Sequence, residues 1–140
     1  MIASILLATP AESAPDQWTA QSIPELKQQI ESKHPAAYYE LAAKLFATEP
    51  TKDEAVFWFY LGQLRFRYHL AADPNLPRSG EPALFASVSE VIGRPINEYA
   101  GADPEKWMAT IDRALQWDKS HPNNFTSKEK AADAYRQIRA

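Results

Sequence analysis

Between Thr51 and Ala72 the apolar positions do not fall on one stripe. Val56, Phe57, Trp58, Phe59, Tyr60, Leu61, Leu64, Phe66, Tyr68 and Leu70 point in nearly every direction around a helical wheel. Such a helix is stable only when other elements enclose it, so the pattern predicts a central helix with a bundle around it. Thr51 stands three residues before Glu54, the spacing of a capping box in which side chains satisfy first-turn backbone donors. Gly62, in the middle of the run, carries a helix penalty of about 1 kcal/mol relative to alanine. Close approach by a neighbouring helix would justify it.

The flanking segments keep the helical period. Ser22-Ile-Pro-Glu25 is a second capping-box pattern, and Ile23, Leu26 and Ile30 form the stripe behind it. Pro35 opens a helix in which Tyr38, Leu41, Ala42 and Leu45 recur on one face before Glu49-Pro50 stops it. Ala72 to Gly80 is dense in proline and turn formers, and predicts a loop. A helix from about Pro82 to Ile92 follows, with Gly93 expected as a left-handed C′ residue, then a short helical turn over Ile96–Ala100. Asp103-Pro104-Glu105 predicts a capped restart with Trp107, Ile111, Ala114 and Leu115 facing inward. Thr126 to Glu129 predicts the start of a last helix carrying Ala131, Ala134, Tyr135 and Ile138. No strand pair is visible, and the short loops predict antiparallel neighbours. The expectation is a compact all-α bundle of about six or seven helices.

Composition narrows the function more by exclusion than by assignment. The 140 residues fit one domain with a real core, and a net charge of −3 with no basic stripe argues against nucleic-acid binding. Cysteine is absent, which removes disulfides, thiolate metal sites and cysteine nucleophiles. Ile2 to Ala8 is apolar, followed by Thr-Pro-Ala-Glu-Ser-Ala, like the later part of a secretory signal. Residues 1–14 are therefore read as a signal remnant or a flexible N-terminal segment, and 15–140 as a single helical domain. The first choice makes the protein periplasmic or secreted, the second cytoplasmic. No stretch approaches the roughly 20 apolar residues that span a bilayer, so no stable membrane insertion is expected.

The segment Tyr38 to Arg67 resembles a tetratricopeptide or Sel1-like helical hairpin. Leu41, Ala42, Leu45 and Phe46 supply its first helix, and Asp53-Glu54-Ala55 followed by Trp58-Phe59 is similar to the opening of a Sel1 second helix. The chain as a whole resembles small bacterial helical proteins with patterns such as Gly93-Arg-Pro-Ile-Asn-Glu-Tyr-Ala100 and Ala114-Leu-Gln-Trp-Asp118. Immunity proteins that neutralise secreted toxins are of this style. The resemblance implies close helix packing and a protein partner.

Gln63, Arg65, Arg67 and His69 are the polar residues inside the central helix, paired four apart on two faces. They read as a structural network, in which arginines clamp acids of other helices or extend into water. A patch that reads an anion or a partner is the alternative. Asn97 is expected to bind backbone groups of the turn beside it. The three histidines, His34, His69 and His121, have no metal-binding spacing, and no nucleophile elbow or glycine-rich phosphate loop occurs. No catalytic residue, cofactor or metal is assigned, and the chain is expected not to be an enzyme.

The residues point instead to binding a protein, in its specific form an immunity- or inhibitor-like protein acting on a bacterial toxin or effector. A scaffolding hairpin protein, or an enzyme with an unrecognised acid–base pair, stands as the alternative. The expected surfaces are the loop from Asp73 to Glu81 and the connection from Arg94 to Asp103, with Arg78, Arg94, Asn97, Tyr99 and Trp107 as contacts.

Overall fold

The computed structural model describes residues 20–139. Residues 1–14, read above as a signal remnant or a flexible N-terminal segment, lie outside them. The described residues fold into seven α-helices and no strand: α1 (Ile23–Gln28), α2 (Ala36–Phe46), α3 (Lys52–Ala72), α4 (Glu81–Val91), α5 (Gly93–Ala100), α6 (Pro104–Ser120) and α7 (Ala132–Arg139). Short 3-10 turns at Ile30–Ser32 and Glu49–Thr51 precede α2 and α3. The all-α bundle expected from the hydrophobic pattern is the fold.

Helix α3 is its axis. It packs against α2, α4, α5, α6 and α7, and buries Ala55, Val56, Trp58, Phe59, Leu61, Gly62, Arg65, Phe66 and Tyr68. The scattered apolar positions of the sequence thus face neighbours on several sides of the helix. With α2 it forms an antiparallel hairpin, Phe46 lying near the start of α3 and His34 near its end. Gly62 shows why the hairpin is tight: a Cβ built there would stand 2.5 Å from Tyr38 Cβ. No side chain fits between the two helices at this point.

Several local expectations are corrected. Ser22 closes a full capping box with Glu25, but Thr51 makes no side-chain cap. Its hydroxyl turns back to the Leu45 carbonyl, while Glu54 reaches Lys27 and so ties α3 to α1. Gly93 is not a left-handed C′ residue, since no glycine among the described residues has positive φ. It opens α5 instead, and a Cβ there would meet the Phe59 ring at 2.7 Å; bare backbone is needed for packing. Pro95 accordingly sits in the first turn of α5, where its missing N–H leaves no helical bond unmade. Asp103 caps α6 through the Lys106 N–H, as read. The buried face of α6 is formed by Thr110, Ala114 and Asp118, with Trp107, Ile111 and Leu115 half-buried beside it. The last helix starts at Ala132 rather than near Thr126, because the Thr126 amide donates to Asn123 Oδ1 and its carbonyl accepts from the Tyr135 hydroxyl.

One ion pair crosses the core. The Arg65 and Asp118 side chains are 1% and 0% exposed, and Arg65 Nε lies 2.9 Å from Asp118 Oδ1. The guanidinium also donates to the Tyr38 hydroxyl and to the carbonyls of Pro122 and His121. Tyr68 donates its hydroxyl to the other Asp118 oxygen, and the Trp117 ring lies 4.9 Å from the guanidinium carbon. Burial pushes the Tyr38 hydroxyl up to a pKa of about 12, so it remains a neutral donor and acceptor.

Two stability predictions follow from this packing. Asp118→Ala leaves a buried guanidinium without its counterion, and is expected to destabilise by about 3–5 kcal/mol in a denaturant titration. Gly62→Ala drives a methyl into Tyr38 and is expected to cost about 1–3 kcal/mol, despite the better helix propensity of alanine. Unchanged midpoints for either variant would contradict the packing described.

Candidate functional site

Where α5 and the first turns of α6 meet the N-terminal end of α3, a cleft of about 120 Å³ opens. Its walls include Asp53, Val56, Tyr99, Lys106, Trp107 and Thr110. Local sequence explains the placement. Asp53 lies in the first turn of α3, where a carboxylate complements the helix dipole. The tight Gly101–Asp103 connection turns the chain straight from α5 into α6, carrying Tyr99 and Lys106 to the same carboxylate.

Lys106 Nζ lies 2.7 Å from Asp53 Oδ2, and the Tyr99 hydroxyl donates to Oδ1 at 2.7 Å. Lys106, then Tyr99, hold the Asp53 pKa below its ordinary 3.8. The same contacts raise the pKa values of Lys106 and Tyr99. An aspartate held ionised in this way acts as a hydrogen-bond acceptor, not a proton carrier at neutral pH. Around it lies an aromatic rim. The Phe46 ring meets Tyr99 edge-on at 5.7 Å, and the Lys52 ammonium lies 4.8 Å from the Phe46 centroid. Tyr60 donates its hydroxyl to Asn97 Oδ1, and partial burial raises its pKa. The buried indole N–H of Trp107 interacts with that hydroxyl but forms no hydrogen bond of ordinary geometry.

Two of the five contact residues read from the sequence, Tyr99 and Trp107, therefore line the cleft, whereas Asn97 is exposed on α5 and does not line it. The Asn97 amide serves Tyr60 rather than the backbone of a turn. Arg94 is exposed on α5 and paired with Glu90 on α4. Arg78 is exposed in the loop between α3 and α4 and is not part of the cleft. Asp53, Tyr60 and Lys106 were missed as site residues. Asp53 and Lys106 sit at helix starts where capping and solvation already explain charges, and Tyr60 is hidden in an unbroken aromatic run. Of the polar residues on the central helix, Arg65 is in the buried network, Gln63 and His69 are half-buried, and Arg67 is exposed.

No family model and no solved structure matches the chain. An uncharacterized protein of Haemophilus influenzae is 32% identical over 88 residues, 63% of this chain but only 34% of that protein. The chain thus spans about a third of the length of the relative it matches. No described helix is long and apolar enough to cross a membrane.

The Asp53 contacts carry a titration prediction. With its folded pKa lowered, the group adds stability that is present above the ordinary value near 3.8 and is lost as pH falls through the folded pKa. Lys106→Met is expected to move the Asp53 titration upward more than Tyr99→Phe does, read from carboxyl carbon shifts in NMR. An Asp53 titration untouched by either change would disprove the three-group contact.

Proposed function

We propose that the chain is a protein-binding helical domain that presents the α5–α6 edge to its partner. The observation that carries this reading is that Tyr99 and Trp107 line one cleft together with the Asp53–Lys106 pair. Tryptophan and tyrosine around a small pocket, with a polar rim, are the composition of an energetic hot spot. Met108, 68% exposed and next to Trp107 in the chain, adds an adaptable apolar contact. Rigid helices on either side mean that little ordering entropy is lost on docking. The specific form of the reading is an immunity- or inhibitor-like protein acting on a bacterial toxin or effector, exported if residues 1–14 are a signal remnant. The style of the sequence supports it, as does a surface suited to contact rather than turnover.

Affinity purification from the native periplasmic and cytosolic fractions, with mass spectrometry, tests the reading. A stoichiometric protein partner is expected, and Tyr99→Ala should weaken its affinity by about 30-fold, corresponding to about 2 kcal/mol. Arg78→Ala should leave both stability and affinity close to wild type. Capture lost with Arg78→Ala but kept with Tyr99→Ala would move the interface to the 73–80 loop. Absence of any partner in both fractions would remove the binding reading.

A further inference from the structure

The fold joins two histidines and an acid that their sequence spacing keeps apart. His34 immediately precedes Pro35 and α2, His69 lies in the last turn of α3, and Glu81 is the first residue of α4. One donor atom from each lies within 4.8 Å of the others. We propose that His34, His69 and Glu81 form a binding site for a divalent transition-metal ion of the zinc class. The inference is independent of the docking surface at the other end of α3.

Three observations carry it. The first is spacing. His34 Nε2 lies 2.8 Å and His69 Nε2 3.8 Å from the same Glu81 oxygen, Oε2. Ligands held at about 2.0–2.1 Å in a tetrahedron stand about 3.3 Å apart, so these distances bracket the coordinated value. The second is an unsatisfied atom. His69 Nε2 is buried and has no hydrogen-bond partner, an arrangement that is unfavourable unless something fills the gap. A metal ion beside the Glu81 carboxylate fills it. The third is enclosure with access. The Phe66 and Phe125 rings lie 5.1–5.3 Å from the His34 ring, and Phe125 lies 5.1 Å from His69. Yet the three ligand side chains keep exposures of 30%, 16% and 29%, which leaves room for ion entry and a coordinated water. Two imidazoles and one carboxylate suit zinc, cobalt or nickel better than the oxygen-seeking magnesium and calcium.

Coordination requires one rearrangement, which gives the site a signature. His34 Nδ1 accepts the Ala36 backbone N–H at 3.0 Å, so in the metal-free protein the ring proton sits on Nε2 and is donated to Glu81. When the metal takes the Nε2 lone pair, that proton must move to Nδ1, and the Ala36 amide loses its acceptor. Ala36 is the first residue of α2, where amides lack helical partners in any case. The bound ion would then fasten the start of α2, the end of α3 and the start of α4, closing both ends of the 73–80 loop at one point.

The test is titration of the full chain with zinc sulfate, followed by two-dimensional NMR and thermal unfolding, with magnesium as the comparison ion. The expected result is saturable binding of one zinc, displacement of the His34 and His69 ring-nitrogen signals, and a large shift of the Ala36 amide. The melting temperature should rise with zinc and not with magnesium, since only the folded state holds the ligands together. Glu81→Gln and His69→Gln should each abolish that rise, and His121→Gln should retain it. Absence of saturable zinc binding would overturn the proposal. So would binding that leaves both ring signals unmoved or survives in Glu81→Gln. If a variant fails to fold, the ring and Ala36 signals of the wild-type chain decide alone.

Discussion

Burying an arginine without water makes stringent demands, and much of this bundle is arranged to meet them. Arg65 sits on the axial helix with its charge answered by Asp118 from α6, and by the carbonyls of His121 and Pro122 where the chain leaves that helix. An ion pair this deep does little for net stability, because desolvation offsets most of the attraction. What it does impose is register. Asp118 can meet Arg65 only if α6 lies at one height and rotation against α3, and Tyr38 and Tyr68 can then complete the network only if α2 and α3 are also in place. The hydrophobic surfaces hold the helices together, while this polar crossing selects among the ways they could slide.

That register is transmitted to the α5–α6 edge. With α6 fixed at its C-terminal end, its N-terminal turn falls beside the start of α3, bringing Lys106 to Asp53. The α5–α6 connection is short, so Tyr99 follows. At the other end of α3, the turn after Ser120 leads into the segment that places Phe125 against His34 and His69. The α5–α6 cleft and the histidine–glutamate cluster thus lie at opposite ends of the same axial helix, and neither shares a residue with the central clamp.

The sequence disclosed the fold through features with a local physical cause. An apolar run with no single face meant an enclosed helix, Asp103 before Pro104 meant a helix start, and Gly62 meant a close crossing. Its errors came where one residue type serves two purposes. Gly93 carries no stop signal because it is small for Phe59, not flexible for a turn. Thr51 matched a capping pattern but answered the carbonyl of Leu45, one helix earlier. Of the candidate cleft, Tyr99 and Trp107 were legible as aromatic residues near a helix break. Asp53 and Lys106 were not, because their roles exist only once α3 and α6 meet. The same reason hid the histidine cluster, whose members are separated by 35 and 12 residues and share no helical face.

The two glycines that touch α3 from within and without make a last point. At Gly62 the axial helix itself has no side chain, and Tyr38 occupies the space; at Gly93 the neighbour has none, and Phe59 occupies it. Each is half of a size exchange between two positions. Divergence of this chain should therefore proceed in coupled steps: a methyl gained at 93 becomes tolerable only after the ring at 59 has shrunk. Positions 59 and 93 should covary, although 34 residues separate them along the chain.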